Sequence, residues 1–255
     1  MLIKQDFNYS PKNENRTLHI WLPDEYYWTD EKYPVMYLFD GHNMFRNEDA
    51  TFGTCWGFQE FMRSWHKPMI LVGMECVRDE TGRERLSEYS PYSFANDYWG
   101  SIPAMGRETM EWIVNEVKPY IDANYRTWPF REGTAIGGSS MGGLMALYAG
   151  IKYNRWFSKM MCVSSAIAFN FEEVMRDVRE SDPDEDSRFW FSWGSQEAGG
   201  GEDYSESGMA RRNREVERML LAKGAITHSV CQVGGRHCEA DWSKQVPEIM
   251  HFLWE

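Results

Sequence analysis

The sequence predicts a doubly wound α/β fold: a mostly parallel sheet with helices on both faces, built as one domain over residues 1–255. Three observations predict it. Strand-like apolar runs alternate with helix-like runs along nearly the whole chain. The run PMILVGME, 68–75, is apolar on both faces, as an interior strand of a parallel sheet must be. Finally, 255 residues with 42% hydrophobic and 15% aromatic content can fill one large core, and no repeat, low-complexity tract or long linker divides them.

The elements follow in order. RTLHIWLP (16–23) and PVMYLFD (34–40) read as strands, and PMILVGME as the next. The first strand or two suit an antiparallel edge. Residues 105–125 carry apolar side chains at helical spacing (Met110, Ile113, Val114, Val117, Tyr120, Ile121), with Pro119 as an internal kink or break. GTAIGGS is a strand, MGGLMALYAGIKY a helix and KMMCVSSA a strand. A weak helix covers 171–179. RFWFSWG is a strand, 209–223 a helix with Gly224 just past its end, THSVCQVGG a strand and 242–254 a closing helix. Two segments read as irregular, 78–103 and 197–208. In open α/β sheets, loops at the carboxyl ends of strands bind ligands, so these two are expected to cap a pocket.

Bulk properties exclude several classes. A net charge of -12 argues against a nucleic-acid binder, which needs a basic face. The mean hydropathy of -0.60 and the lack of a long apolar run argue against a membrane span. No basic, then apolar, leader opens the sequence, so a cytoplasmic location is expected, or a secreted form already processed. The five cysteines are odd in number and form no C-x-x-C pair, which favours reduced thiols. Cys162 and Cys231 fall in apolar strand runs and are expected in the core.

The stretch GTAIGGSSMGGLMALYAG carries the chemistry. Glycine weakens strands and helices alike, so two glycine pairs between an apolar strand and an apolar helix mark a backbone under unusual demands. Gly138-Ser139-Ser140-Met141-Gly142 reads as G-x-S-x-G. The bare pattern arises by chance about one time in ten in a chain this long, but here it follows a strand and opens a helix, the setting of a nucleophile elbow. Ser139 has a glycine two residues before it but methionine two after, so Ser140 fits better as nucleophile.

A serine nucleophile needs a base and an orienting acid, in the chain order Ser, acid, His. Of the histidines after Ser140, His228 lies in a strand run and His251 in the last helix. His237 lies in VGGRHCEADW, a glycine-bearing loop between the last strand and the last helix, and is the expected base. The acid is expected after RFWFSWG, where Glu197, Glu202, Asp203 and Glu206 occur. Glu197 stands closest to the strand end and is preferred, with Asp203 as the alternative. The oxyanion hole needs two backbone N–H donors. Met141 follows the nucleophile, and Gly41 or His42 in FDGHNMF supplies the second. His42 lacks the partners at metal-ligand spacing that a metal site requires, so neither metal nor cofactor is expected.

Five segments resemble the esterase family of α/β-hydrolases that includes S-formylglutathione hydrolases, enterochelin esterases, feruloyl esterases and mycolyltransferases. They are YPVMYLFDGHNMF, RLSEYSPY, EVKPYIDANYRTWPFREGTAIGGSSMGGLMALYAGIKY, WGSQE and GGRHCEADWSKQVPEIMHFLW, spread over residues 34–254. The resemblance implies an α/β-hydrolase fold, with Ser140 as nucleophile, His237 as base, Glu197 as acid, and Met141 with the Gly41–His42 segment as oxyanion donors. His42 stands where the family commonly has Gln, and Arg236 where it often has Gly.

The expected activity is carboxylic-ester hydrolysis through an acyl-enzyme, without cofactor. Acyl transfer to an alcohol by the same triad, or hydrolysis of another small ester or thioester, is the alternative. A binding protein on this fold would be expected to have lost Ser140 or His237. Twelve Trp and thirteen Tyr, with Trp28, Trp56, Trp99, Trp193 and Trp242 near strand ends or loops, would also fill core and rim in any α/β domain. Among family substrates, feruloyl or acetyl esters of plant polysaccharide are the expectation, with a small-molecule or saccharide ester as the partner.

Overall fold

The computed structural model describes residues 1–197 and 207–255. Among the described residues the ten strands are β1 (Leu2–Tyr9), β2 (Glu14–Trp21), β3 (Val35–Phe39), β4 (Ile70–Met74), β5 (Phe94–Asn96), β6 (Gly100–Ile102), β7 (Thr134–Ser139), β8 (Lys159–Val163), β9 (Arg188–Gly194) and β10 (Ile226–Gln232). Eight form the main sheet in the order β1-β2-β4-β3-β7-β8-β9-β10, and β5-β6 make a small hairpin. From β4 to β10 every pairing is parallel, whereas β2 runs antiparallel to both its neighbours.

The helices are α1 (Phe58–Ser64), α2 (Arg83–Glu88), α3 (Gly106–Trp112), α4 (Lys118–Asn124), α5 (Met141–Lys152), α6 (Phe171–Glu180), α7 (Gly208–Ala222), α8 (Glu239–Trp242) and α9 (Val246–Trp254). Alternation along the strands splits the apolar residues into two cores. In β3, Tyr37 and Phe39 join one core, with α3 through α7 on that face, while Met36 and Leu38 join the other, with α1 and α9. This is the doubly wound mostly parallel sheet with helices on both faces that the alternation predicted. No helix among the described residues is long and apolar enough to cross a membrane.

Several elements depart from the sequence reading. β1 was not predicted: its alternation (LIKQDFNY) carries mostly polar outward positions, and it gains its order by pairing along its length with β2. The region 78–103, read as irregular, contains α2 and the β5–β6 hairpin, elements too short to leave a periodic trace. The long helix at 105–125 is interrupted as expected, by a π-helical turn over Ile113–Val117. Pro119 follows in the first turn of α4, where its missing N–H is tolerated, and the widened turn absorbs the residue that an unbroken helix would not. Cys162 is buried as expected, but Cys231 is only half-buried, because β10 is an edge strand. All five cysteines are free.

The order places a topological switch beside β3: the chain leaves it for β4 on one side and returns to β7 on the other. Ligand sites form outside the carboxyl ends of the strands at such a point. Just past β3 the backbone passes very close to β4. A Cβ on Gly41 would stand 2.3 Å from the carbonyl carbon of Gly73. Gly41→Ala is therefore expected to destabilise by about 1–3 kcal/mol, read as a lower urea midpoint with an unchanged slope.

Candidate active site

The loops after β3, β4, β7, β8, β9 and β10 meet above the carboxyl ends of the sheet. Ser140 sits between β7 and α5 with φ 58° and ψ -118°, a left-handed conformation that costs a non-glycine residue energy and recurs at functional turns. The turn is compressed from below. A Cβ on Gly138 would stand 3.0 Å from the Gly142 carbonyl carbon, and one on Gly142 would stand 2.9 Å from Phe39 Cβ. The two glycines of G-x-S-x-G are thus the residues that let helix, strand and β3 converge. Ser140 is tied from both sides: its N–H donates to the Val163 carbonyl at 2.9 Å, and its carbonyl accepts from Ala166 N–H at 3.0 Å.

Glu197 follows β9 and is 2% exposed at its side chain. Its Oε2 lies 3.0 Å from His237 Nδ1. Its Oε1 accepts from Ser164 Oγ at 2.6 Å and from Gly194 N–H at 2.8 Å. Ser164 Oγ in turn accepts from Trp242 Nε1 at 2.8 Å, and the Trp242 ring meets the His237 ring edge-on at 4.8 Å. The carboxylate is therefore fixed through Oε1 by two donors, which leaves Oε2 to meet the imidazole. The two loops are also laced together: Gln196 N–H donates to the Gly235 carbonyl at 2.8 Å and Gly234 N–H to Ser195 Oγ at 2.7 Å. Arg236 is held by Asp241, which accepts from its Nε at 2.9 Å and its N–H at 3.0 Å.

Ser140 and His237 line one cleft of about 1120 Å³, together with Met141, His42, Asn43 and Glu239. Met141 is the first residue of α5, so its N–H has no partner within the helix and faces the positive end of the helix dipole. His42 lines the cleft, whereas Gly41 packs against Gly73 behind it. The His42 side chain is buried with Nε2 3.0 Å from Thr51 Oγ1. Burial pushes its imidazolium down, against the pull of Asp40. The structure thus brings Ser140, His237, Glu197, Met141 and His42 to one place. Asp203, Glu202 and Glu206 lie outside the described residues. His228 packs against Trp190 and Phe252, and His251 pairs with Glu255, both away from the cleft. Among the described residues no cluster has the ligand set of a metal ion.

Sequence reasoning missed the groups that hold these residues in place. Asp40, in the left-handed region at φ 55°, is buried beneath the elbow. Arg85 of α2 grips both its oxygens at 2.7 Å, and Cys76 Sγ donates to Oδ1 at 3.3 Å. Glu239 is buried in the cleft wall, 3.2 Å from Asn43 Nδ2, and burial pushes its carboxyl up. A lone carboxylate closing an apolar strand, as in VMYLFD, is the one signal that pointed to a buried charge at Asp40; its partner, 45 residues on, had no local signature.

The fold is of the α/β-hydrolase type, and the family match makes the chain an ester-hydrolysing enzyme. The chain belongs to the Esterase family, whose profile, described as "Putative esterase", matches residues 10–253. It is similar to the uncharacterized protein YbbA of Bacillus subtilis (strain 168), at 24% identity over 95% of this chain and 94% of that one. Its fold is similar to the BES protein from Bacillus cereus (TM-score 0.79, 19% identity, 99% of this chain, 94% of that one). It is also similar in fold to the enterobactin esterase FES from Shigella flexneri (TM-score 0.75, 17% identity, 100% of this chain, 58% of that one).

The Asp40–Arg85 pair has a consequence for stability. Burial would raise the Asp40 carboxyl, but the Arg85 charge and hydrogen bonds outweigh it and hold the carboxyl below its usual range. A depressed folded value contributes stability above the ordinary carboxyl range and loses it as pH falls through the folded value. Removing Arg85 leaves burial dominant and reverses the sign. Arg85→Met is expected to cost about 3 kcal/mol at neutral pH. That gap should shrink as pH falls below 5, read by urea unfolding across pH.

Proposed function

We propose that the chain is a serine carboxylic-ester hydrolase working through an acyl-enzyme. The observation that carries the proposal is the buried Glu197, fixed at Oε1 by two donors and bonded through Oε2 at 3.0 Å to His237, which lines a cleft together with the strained Ser140. His237 takes the Ser140 hydroxyl proton as the serine attacks the ester carbonyl, while Glu197 holds the imidazole in its working tautomer. The developing oxyanion is received by the N–H groups of Met141 and His42. His237 then returns the proton to the departing alkoxide, and water repeats the cycle on the acyl-serine. Nothing in this sequence of steps draws on a cofactor.

The shape of the site supports a two-part substrate. A second lobe of about 210 Å³ also borders Ser140 and His237. A dry cavity of about 150 Å³ suffices for a benzene ring, so this lobe suits a short acyl group or one ring. The large cleft carries more acid than base: Glu48, Asp49, Asp79, Glu80 and Glu239 line it with Arg78, and Arg85 is already committed to Asp40. Carboxylates accept hydroxyls and repel anions, and Trp99 and Phe169 add ring faces at the rim. A neutral, hydroxyl-rich alcohol fits best, consistent with feruloyl or acetyl esters of a saccharide.

Ser140→Ala is expected to reduce turnover of p-nitrophenyl acetate and methyl ferulate to background, on the order of 10⁶-fold, and Glu197→Gln to reduce it about 10⁴-fold. The melting temperature of the wild type and both variants, measured alongside, should show that the fold is kept. Substantial turnover by folded Ser140→Ala would overturn the assignment.

A further inference from the structure

The turn that carries His42 is joined to the loop that carries His237, and Asn43 makes the junction. The Asn43 N–H donates to the Asp40 carbonyl at 2.8 Å, and its carbonyl accepts from Trp56 N–H at 2.8 Å, which fixes the backbone on either side of His42. The His42 N–H itself makes no hydrogen bond among the described residues. The Asn43 side chain is oriented at its other end. Thr51 N–H donates to Oδ1 at 2.9 Å, so the remaining amide atom is the nitrogen, and Nδ2 donates to Glu239 Oε1 at 3.2 Å. Glu239 stands two residues past His237 and opens α8. Its partner lies 196 residues away in sequence. Among the described residues this is the only hydrogen bond between segments 40–58 and 234–245. The Trp56 and Trp242 rings, stacked at 5.8 Å, already join the same two segments by apolar contact. The amide and the carboxyl, 8% and 7% exposed, are a costly addition to that contact, because burial opposes the ionised carboxyl.

We infer that Asn43 and Glu239 are positioning residues, whose hydrogen bond sets the N–H of His42 in register with Ser140 and His237. The inference rests on the reading of Ser140 as nucleophile and of the His42 N–H as an oxyanion donor. It adds that the donor is held by the histidine loop, so that the two halves of the machinery move together or not at all. A misplacement of about 1 Å costs on the order of 10² in rate. An oxyanion donor meets its charge only as the transition state forms. Losing its position therefore lowers kcat and kcat/KM together and leaves KM in place. A residue that only shaped the cleft would move KM, and one that only supported the fold would move the melting temperature.

Steady-state hydrolysis of p-nitrophenyl acetate tests the inference, because this ester carries no hydroxyl for a cleft carboxylate to meet. Glu239→Met removes the acceptor and is expected to lower kcat about 10²-fold with KM within about twofold of wild type. Glu239→Gln keeps an acceptor opposite Asn43 and should recover most of that loss. Asn43→Asp sets two acceptors face to face and should match Glu239→Met. Combining Asn43→Asp with Glu239→Gln returns a donor from the opposite side, and should bring kcat back to within about fivefold of wild type. Melting temperatures, measured alongside, identify the folded variants. A kcat within about twofold of wild type in folded Glu239→Met, or a loss confined to KM, would overturn the inference. So would a folded double variant no faster than Asn43→Asp. Failure of the nucleophile assignment would show differently, as ester turnover retained by folded Ser140→Ala.

Discussion

Three backbone segments converge beneath Ser140 more closely than side chains allow, and the rest of the site depends on that approach. Gly138 is the penultimate residue of β7, Gly142 the second of α5, and β3 passes at Phe39, with about 3 Å between a would-be Cβ and its nearest neighbour at each glycine. The close contact forces the turn between them into a left-handed conformation at Ser140. It also fixes the first N–H of α5 beside the serine. A helix that began one residue later or stood farther from β3 would leave the hydroxyl without an adjacent positive dipole. The strain is sustained because buried sheet surrounds the turn on both faces.

Charge is distributed to match. Asp40 lies directly below the elbow, its carboxylate 3.5 Å from where a Cβ on Gly142 would stand, and α2 supplies Arg85 to balance it. Glu197 lies on the far side, buried and held by a serine hydroxyl and a backbone N–H. One carboxylate thus meets a histidine, and the other is balanced by an arginine. Such preorganisation, with groups fixed before the charge appears, is the largest contribution such sites make. The two lobes meeting at Ser140 differ as sharply: one wide and acidic, the other narrow and mostly apolar.

Much of this was legible in the sequence because it is local. The strand–turn–helix setting around GGSSMGG, the glycine-bearing loop of His237 and the position of Glu197 just past RFWFSWG are short-range patterns, and the structure brings those residues together. The parallel interior of the sheet was legible in PMILVGME for the same reason. What could not be read depends on distance along the chain. β1 is ordered by β2, Arg85 by Asp40, and Ser164 by Trp242 across 78 residues. The short α2 and the β5–β6 hairpin carry no full period of either pattern. Gly41 and His42 were equivalent as sequence; only the contact with Gly73 separates the glycine that packs from the histidine that faces the cleft.

The central claim is that Ser140, not its neighbour Ser139, is the nucleophile activated by His237 and Glu197. Labelling with an organophosphofluoridate, followed by intact mass and peptide mapping, tests it most directly. A single adduct on Ser140 is predicted, formed more slowly in Glu197→Gln and absent in Ser140→Ala. An adduct on Ser139, or undiminished labelling of folded Ser140→Ala, would contradict the account.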